Sequence, residues 1–343
     1  MRVLVTGGAG YIGSHAVLRL LENGHQVVSI DNLSRGHAEA EKTLSNIGGE
    51  SYTPVRCDLH ETQRIADLLT SHSVDVVMHF AAFAEVGESV EHPLLYYHNN
   101  VGGMISLLQA MDEANTSKII FSSSCATYGE PSSENIPIGE LTPQKPINPY
   151  GHSKLQGEVM LRNVAESRRR AGRDFSYAAL RYFNVAGSDR KTRIGEDHRP
   201  ESHLIPICLL TALGKRPSMS VFGTDYPTSD GTCIRDYVHV EDLIDAHVRV
   251  IDALEPGDER HYNVGIGKGF SVLECIDAVK RVTGIDFDIT ESPRRAGDPP
   301  ELYANPSKIK NELGWSASIT DLDETVESAY KWFKAHPNGW PTD

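Results

Sequence analysis

The residues of this 343-residue chain with the clearest chemical use are Tyr150 and Lys154, in Tyr150-Gly151-His152-Ser153-Lys154. Pro149 before them suits the first turn of a helix, and a spacing of four sets both side chains on one helix face. A free phenol titrates near ~10, so tyrosine alone is a poor base at neutral pH. An ammonium ~4 Å away contributes ~4 kcal/mol at an effective dielectric of ~20. That is roughly three pKa units, enough to draw the phenol toward neutrality, and burial of either group erodes the gain. Upstream, Ser122-Ser123-Ser124 closes an apolar run and offers a hydroxyl that can share a substrate oxygen with Tyr150. The Tyr–Lys spacing alone is common on solvated helix faces; what precedes it gives it weight.

What precedes it is Gly7-Gly8-Ala9-Gly10-Tyr11-Ile12-Gly13, between the apolar run 3–6 and a helical pattern. Glycines there allow a tight turn and a close approach to a pyrophosphate, and the helix start supplies free N–H groups. The spacing is G-x-x-G-x-x-G, not the commoner G-x-G-x-x-G. Asp31, 18 residues after Gly13, ends the next predicted strand. A carboxylate there accepts ribose hydroxyls and repels a 2′-phosphate, which favours NAD over NADP. Arg35 lies close by and tempers that preference. Asp58, after the third predicted strand, is a candidate contact for adenine.

Placing these groups needs a scaffold, and the first half of the chain supplies its rhythm. Strands are expected at 3–6, 26–30, 52–57, 75–80, 118–123 and 176–182, and helices at 11–23, 62–71, 100–114 and 150–170. This alternation predicts the α/β class, a Rossmann-type doubly wound parallel sheet. Between Ser124 and Tyr150, Pro131, Pro137, Pro143, Pro146 and Pro149 exclude a regular helix and predict a long loop past a strand's carboxyl end. After Asn184 the rhythm breaks down, as in a smaller mixed α/β C-terminal substrate domain. The expected division is 1–183 with 237–265 returning to it, against 184–236 with 266–343.

Thirty-three basic and 47 acidic side chains leave a net charge of −14. An acid excess argues against general binding to nucleic acid or to an anionic membrane, so neither is an expected partner. Cys57, Cys125, Cys208, Cys233 and Cys275 are odd in number, far apart and without a C-x-x-C, which argues against a disulfide framework or structural zinc. Fifteen histidines occur without an H-E-x-x-H, and no metal is expected. His239 and His247 read as packing or surface residues. No run has the length of a membrane-spanning helix, and the N-terminus lacks a signal-peptide pattern. These features predict a soluble cytoplasmic protein.

The glycine motif, the serine-ended strand and the Tyr–Lys pair, in this order, resemble the extended short-chain dehydrogenase/reductase family. Further segments narrow the likeness to its UDP-glucose 4-epimerase branch: Asp31-Asn32-Leu33, Val86-Gly87-Glu88-Ser89, Arg181-Tyr182-Phe183-Asn184, Tyr226-Pro227-Thr228 and Arg235-Asp236-Tyr237-Val238-His239. The resemblance implies a resident NAD, a UDP-sugar substrate and a homodimer paired through long helices, sought at 100–114 and 150–170. It implies that Tyr150, activated by Lys154 and helped by Ser124, removes the proton of the sugar's 4-hydroxyl. The hydride leaves C4 and returns to the opposite face after the keto sugar turns. Around NAD it implies Gly7, Gly10, Tyr11, Ile12, Gly13, Asp31, Asn32, Leu33, Ser34, Asp58 and Leu59. Phe80, Ala81, Ala82, Asn99, Ser122 and Tyr182 complete that set with Tyr150 and Lys154. Around the nucleotide sugar it implies Asn184, His203, Leu204, Phe222, Arg235, Arg295 and Asp298, with Ser124 and Tyr150 at the sugar. Two guanidiniums can pair with a pyrophosphate in forked geometry inside an otherwise acidic protein.

Three positions depart from the family pattern: Ala84 replaces a lysine near the cofactor, His203 a familiar asparagine, and Leu302 holds the sugar-size gate. Related dehydratases carry Thr-Asp-Glu where this chain has Ser124-Cys125-Ala126, so the acid and base for water elimination are missing. A UDP-pentose or an N-acetylhexosamine could use the same machinery as a hexose. A dinucleotide-binding sensor without catalysis is the reading from another class.

Overall fold

A computed structural model describes residues 1–295 and 298–341. β1 (Arg2–Thr6), α1 (Tyr11–Glu22), β2 (Gln26–Asp31), α2 (Ala38–Gly48), β3 (Tyr52–Arg56), α3 (Thr62–Ser71) and β4 (Val76–His79) come first. Then α4 (Val86–Glu91), α5 (Pro93–Tyr96), a π-helical turn (Tyr97–Gly102) and α6 (Gly103–Glu113) lead to β5 (Lys118–Ser124). α7 (Pro149–Arg170), β6 (Ser176–Tyr182), β7 (Asn184–Ala186), α8 (Leu204–Ala212), β8 (Met219–Phe222), β9 (Ile234–Arg235) and β10 (Tyr237–His239) follow. The chain continues through α9 (Val240–Ala253), β11 (Glu259–Val264), β12 (Phe270–Ser271), α10 (Val272–Thr283), β13 (Ile289–Ser292) and β14 (Glu301–Leu302). It closes with α11 (Ser307–Leu313) and α12 (Leu322–Ala335).

Seven strands form one sheet in the order β11-β6-β5-β4-β1-β2-β3. The pairings of β1 with β2 and β4, of β2 with β3 and of β4 with β5 are parallel. This is the expected doubly wound arrangement, with the strand order reversing beside β1. Leu4, Val28, Val77, Ile119 and Phe121 from the sheet are buried with Leu107, Met111 and Leu161 from α6 and α7. Each such side chain contributes roughly 1.5–3 kcal/mol on burial, so this packing, more than helix propensity, holds those helices.

The expected elements are present, with shifts at their ends. The helix sought at 100–114 starts at Gly103, because Tyr97–Gly102 winds as a π-helix. α2, α4 and α5 were not anticipated: α2 buries only Ala40 and Leu44, and α4 and α5 are too short for a period to show. The 124–150 segment contains 3-10 turns and no α-helix before α7 begins at Pro149.

The chain forms two compact units. The first comprises Met1–Gly129, Gln144–Arg181 and Ile244–Tyr262. The second comprises Glu130–Pro143, Tyr182–Leu243 and the chain from Asn263 onward, in which residues 296–297 and 342–343 lie outside the described ones. The expected stretch 1–183 therefore breaks at Glu130–Pro143. There Ile138 bridges Ala304, and its backbone exchanges hydrogen bonds with Tyr303 and Asn305. No local periodicity reveals a pairing so distant in sequence.

In the second unit β8 pairs with β13, β7 with β10, and β9 lies between β12 and β14. α10 opens on a capping box of Ser271 with Glu274 and stops at Gly284 in the left-handed region. Trp315 and Trp332 are fully buried. All five cysteines are free. His239 and His247 are buried packing residues: His239 Nε2 lies 3.0 Å from Ser328 Oγ, and His247 packs on Phe80. No helix among the described residues is long and apolar enough to cross a membrane.

Candidate active site

The glycine motif folds as a turn from β1 into α1. Gly7 adopts φ +71°, and Gly10 N donates to Gly7 O at 3.1 Å. A Cβ on Gly13 would stand 2.0 Å from Gly7 O, so no side chain fits there. Gly10 caps α1 without a side-chain hydrogen bond, and the first turn carries no acidic residue. Free N–H groups and the positive end of the helix dipole suit an anionic phosphate.

Asp31 ends β2 and is 8% exposed. Its carboxylate accepts Ala9 N at 3.0 Å and Leu33 N at 2.8 Å, and burial pushes its pKa up. Leu33 takes φ +58°, which keeps the 31–34 turn tight. Asn32 Nδ2 donates to Asp58 Oδ2 at 2.7 Å, tying the ends of β2 and β3 together. Arg35 is engaged elsewhere: it donates to Glu88 Oε1 at 2.6 Å and lies 5.0 Å from the Phe83 ring centroid. A cation committed to Glu88 is poorly placed to serve a 2′-phosphate. Phe80, Ala81 and Ala82 follow β4, where Thr6 Oγ1 accepts Ala81 N at 3.2 Å. Asn99 lies in the π-helical turn and donates to Asn100, which in turn donates to Ser153 Oγ at 3.0 Å. Leu59 packs where Gly103 leaves room, and Tyr182 is buried at the end of β6. The crowded glycine turn, the bare helix start and the buried acid at β2 fit an NAD-type dinucleotide.

α7 places the reactive pair. Asn148 caps it by accepting Gly151 N at 2.8 Å, and Pro149 occupies the first turn. A Cβ on Gly151 would stand 2.5 Å from Ala126 O, so glycine lets the helix start press on the turn after β5. Tyr150 is thereby set near Ser124, whose Oγ accepts Ala126 N at 3.1 Å and whose hydroxyl favours the phenolate. Lys154 is buried and donates from Nζ to Ser122 O at 2.7 Å. The three expected catalytic residues therefore lie together.

The erosion expected from burial dominates their electrostatics. Lys154 Nζ sits 5.8 Å from the Tyr150 ring centroid and bonds a carbonyl, in place of an ammonium ~4 Å from the phenol. Burial pushes Lys154 down to about 7 and Tyr150 up to about 12, although the Ser124 hydrogen bond opposes the rise in the phenol. Desolvation acts on both groups and exceeds the attraction anticipated from spacing.

In the second unit Arg235, Arg295, Phe222 and Asp298 converge. Arg295 Nε donates to Asp298 Oδ2 at 2.9 Å, and its guanidinium lies 5.1 Å from the Phe222 ring centroid. An Arg235 guanidinium nitrogen lies 3.6 Å from Asp298 Oδ1. Leu302 on β14 pairs in register with Arg235 on β9. Asn184 begins β7 with an exposed side chain, and Leu204 begins α8. His203, the N-cap of α8, turns its ring to Glu201, with Nδ1 2.9 Å from Oε1. It joins Glu196, His198 and Glu201 in a compact cluster.

Sequence reasoning missed that cluster, although E-x-H-x-x-E-x-H can be read at 196–203. It also missed Glu158, one turn beyond Lys154. Glu158 accepts Arg181 Nε at 2.9 Å and Nη2 at 2.6 Å, and Ser123 Oγ at 2.5 Å. Burial pushes this carboxyl up, but Arg181 wins and holds it below the usual range. The pair fastens α7 to β5 and β6 beneath the reactive residues. Asp236 is a third: its buried carboxylate accepts Ile266 N, Gly267 N and Ala304 N at 2.9–3.2 Å.

Comparison with known proteins gives these residues a family context. The model of the NAD dependent epimerase/dehydratase family matches residues 3–265. A UDP-glucose 4-epimerase of Halalkalibacterium halodurans is 48% identical over 100% of this chain and 98% of its own. A probable UDP-arabinose 4-epimerase of Arabidopsis thaliana is 46% identical over 98% of this chain and 82% of its own. The crystal structure of a UDP-glucose 4-epimerase from Stenotrophomonas maltophila, with bound NAD and formylated UDP-arabinopyranose, superposes with a TM-score of 0.92. It is 40% identical and covers 98% of this chain and 99% of that one. The chain belongs to the NAD dependent epimerase/dehydratase family.

Proposed function

We propose that the protein is an isomerase, an NAD-dependent UDP-glucose 4-epimerase that interconverts UDP-glucose and UDP-galactose. The observation that carries this reading is the grouping of Tyr150 with Ser124 and buried Lys154, Nζ of which bonds Ser122 O, at a strand end that lacks carboxylates. NAD, when bound, supplies the acceptor and later the donor of the C4 hydride. Tyr150 Oη takes the proton of the 4-hydroxyl and gives it back after the keto sugar has turned. Ser124 holds that oxygen line, and Lys154 stabilises the phenolate. Ser124-Cys125-Ala126 offers no acid–base pair for losing water, so C4 inverts and the sugar stays intact.

In this reading the first unit holds the cofactor and the second the nucleotide. The diphosphate takes the two guanidiniums now shared by Asp298, and Phe222 supplies an apolar face. The assembly is a homodimer. Exposed Val86, Val90, Leu94 and Ile105 on α4 to α6 support it, Leu94 being 80% exposed. Five free thiols suit a reducing cytoplasm, and the proposed reaction places the protein in galactose use.

Incubation with UDP-galactose and no added NAD is expected to yield UDP-glucose without net NADH, read by chromatography and absorbance. Tyr150→Phe is expected to lower the rate by roughly 10²–10⁴ while the dinucleotide stays bound. No product even with NAD added would refute the hexose assignment. A UDP-pentose is the second reading, favoured by the 46% identity to the probable UDP-arabinose 4-epimerase. UDP-xylose and UDP-arabinose in the same assay decide between the two.

A further inference from the structure

Between β7 and α8, four side chains with metal-binding atoms meet on one loop. Glu196, His198, Glu201 and His203 each bring one such atom, all within 4.8 Å of one another. Glu196 Oε1 lies 3.2 Å from His198 Nδ1 and 3.4 Å from His203 Nδ1. Glu201 Oε1 lies 2.9 Å from His203 Nδ1, and its Oε2 lies 3.7 Å from His198 Nδ1. A tetrahedron with zinc–ligand bonds of ~2.0–2.2 Å has edges of about 3.3–3.6 Å. The two separations from Glu196 Oε1 lie close to that length, and the four atoms as a set, all within 4.8 Å, draw in slightly on binding.

A second observation concerns the burial of the Glu196 carboxylate. Glu196 is 2% exposed, and its Oε1 sits in ion pairs with His198 and His203 that lack well-aligned hydrogen-bond geometry. A buried carboxylate held by poorly aligned partners is under-satisfied, and a cation among the same atoms satisfies it. The surroundings are built to hold these groups still. Glu201 Oε1 accepts Ser202 N and His203 N, each at 2.8 Å. Trp332 Nε1 donates to Glu196 O at 2.9 Å, and Trp340 N to Asp197 Oδ2 at 2.8 Å. Such partners orient ligands around a metal. A cavity of about 200 Å³ reaches His198 and Glu201, and the His203 side chain is 39% exposed, so an ion has a way in.

We propose that Glu196, His198, Glu201 and His203 form a structural site for one divalent transition-metal ion, zinc being the ion that suits them. Two imidazoles and two carboxylates are a borderline donor set of the kind zinc takes. Four protein ligands close the coordination sphere, which marks a structural role and not a catalytic one. Bound there, the ion pins the loop 187–203 and the start of α8, with His203 as both ligand and N-cap. The ion takes no part in chemistry at Tyr150.

The test uses untagged full-length protein, stripped with a chelator and returned to metal-free buffer. Cobalt(II) titration is expected to saturate at one ion per chain, with the intense visible bands of a tetrahedral site. Zinc is expected to displace it and to raise the thermal midpoint. Glu196→Gln, which keeps the shape of the side chain, is expected to weaken zinc binding by roughly 100-fold or more, beyond the ~10–100-fold typical of losing an outer-shell partner. His198→Asn is expected to abolish the cobalt bands, with circular dichroism checking that both variants fold. If the unaltered protein binds cobalt only weakly, at many sites or with octahedral bands, the proposal fails without reference to any variant. Undiminished binding in folded Glu196→Gln and His198→Asn proteins would overturn the location. In either case the four groups are two protonated ion pairs and nothing more.

Discussion

Replacing Lys154 by methionine tests how the phenol is made basic. The substitution keeps most of the length of a buried side chain and removes its charge together with the Nζ donor to Ser122 O. With the phenol at about 12, the phenolate fraction at pH 7 is about 10⁻⁵ when no ammonium is near. Lys154, at about 7, is half charged there. Its Nζ lies 5.8 Å from the ring centroid, and a charge pair at that distance gains about 3 kcal/mol at an effective dielectric of ~20. That is a factor of about 100 in favour of phenolate paired with ammonium. Above pH ~7 the pair exchanges one proton internally, so the native activity levels off. Without the lysine, activity goes on rising about tenfold per pH unit. K154M is therefore expected to be roughly 100-fold slower at pH 7 and to approach the native rate near pH ~9. The assay is conversion of UDP-galactose from pH 6 to 10 with saturating NAD, with bound dinucleotide measured in both proteins. A deficit that stays constant from pH 7 to 9, with cofactor content equal, would refute a role through charge.

Two further outcomes follow from neighbouring groups. Glu158→Gln leaves the buried Arg181 guanidinium without its counter-charge and is expected to cost about 3–5 kcal/mol in chemical denaturation. Replacing Glu158 and Arg181 together by methionine should cost clearly less, and an equal loss would contradict the charge argument. Arg235→Ala is expected to raise KM for the UDP-sugar roughly tenfold or more while kcat changes little, because a charged hydrogen bond is worth about 1.5–3 kcal/mol in both ground and transition states. Steady-state kinetics check this, and a fall confined to kcat would move Arg235 out of substrate binding.

Much of the first unit is legible in the order of residues alone. Short apolar runs separated by amphipathic helices allow few arrangements, because a parallel crossover has one hand and each helix must cover the sheet. Gly13 and Asp31 are legible for a related reason: the turn excludes side chains, and the acid sits where a strand ends. α7 announces its start through Pro149, and a spacing of four pairs Tyr150 with Lys154; the Asn148 cap came only with the structure. What escaped is of another kind. Arg181 and Glu158 find each other across a sheet and a helix, and neither residue's local sequence hints at a buried ion pair. Ile138 joins a strand-like segment more than 160 residues away, so the first unit is interrupted where the sequence shows only prolines. The E-x-H-x-x-E-x-H spacing stands in plain view. It fits no helix or strand period, and only the path of the loop brings its four ends together.

Local chemistry thus nominates the residues proposed to react, since phenol, amine, hydroxyl and a glycine turn are fixed by type and by spacing within one element. It does not settle how strongly they react. The ~4 Å charge pair anticipated from spacing becomes a lysine bound to the Ser122 carbonyl, and two pKa values move apart, not together. Desolvation is set by every neighbour that excludes water, most of them remote in the chain. That is why residue type and spacing nominate the candidate site while tertiary packing decides its proton affinities and gathers the side chains at 196–203.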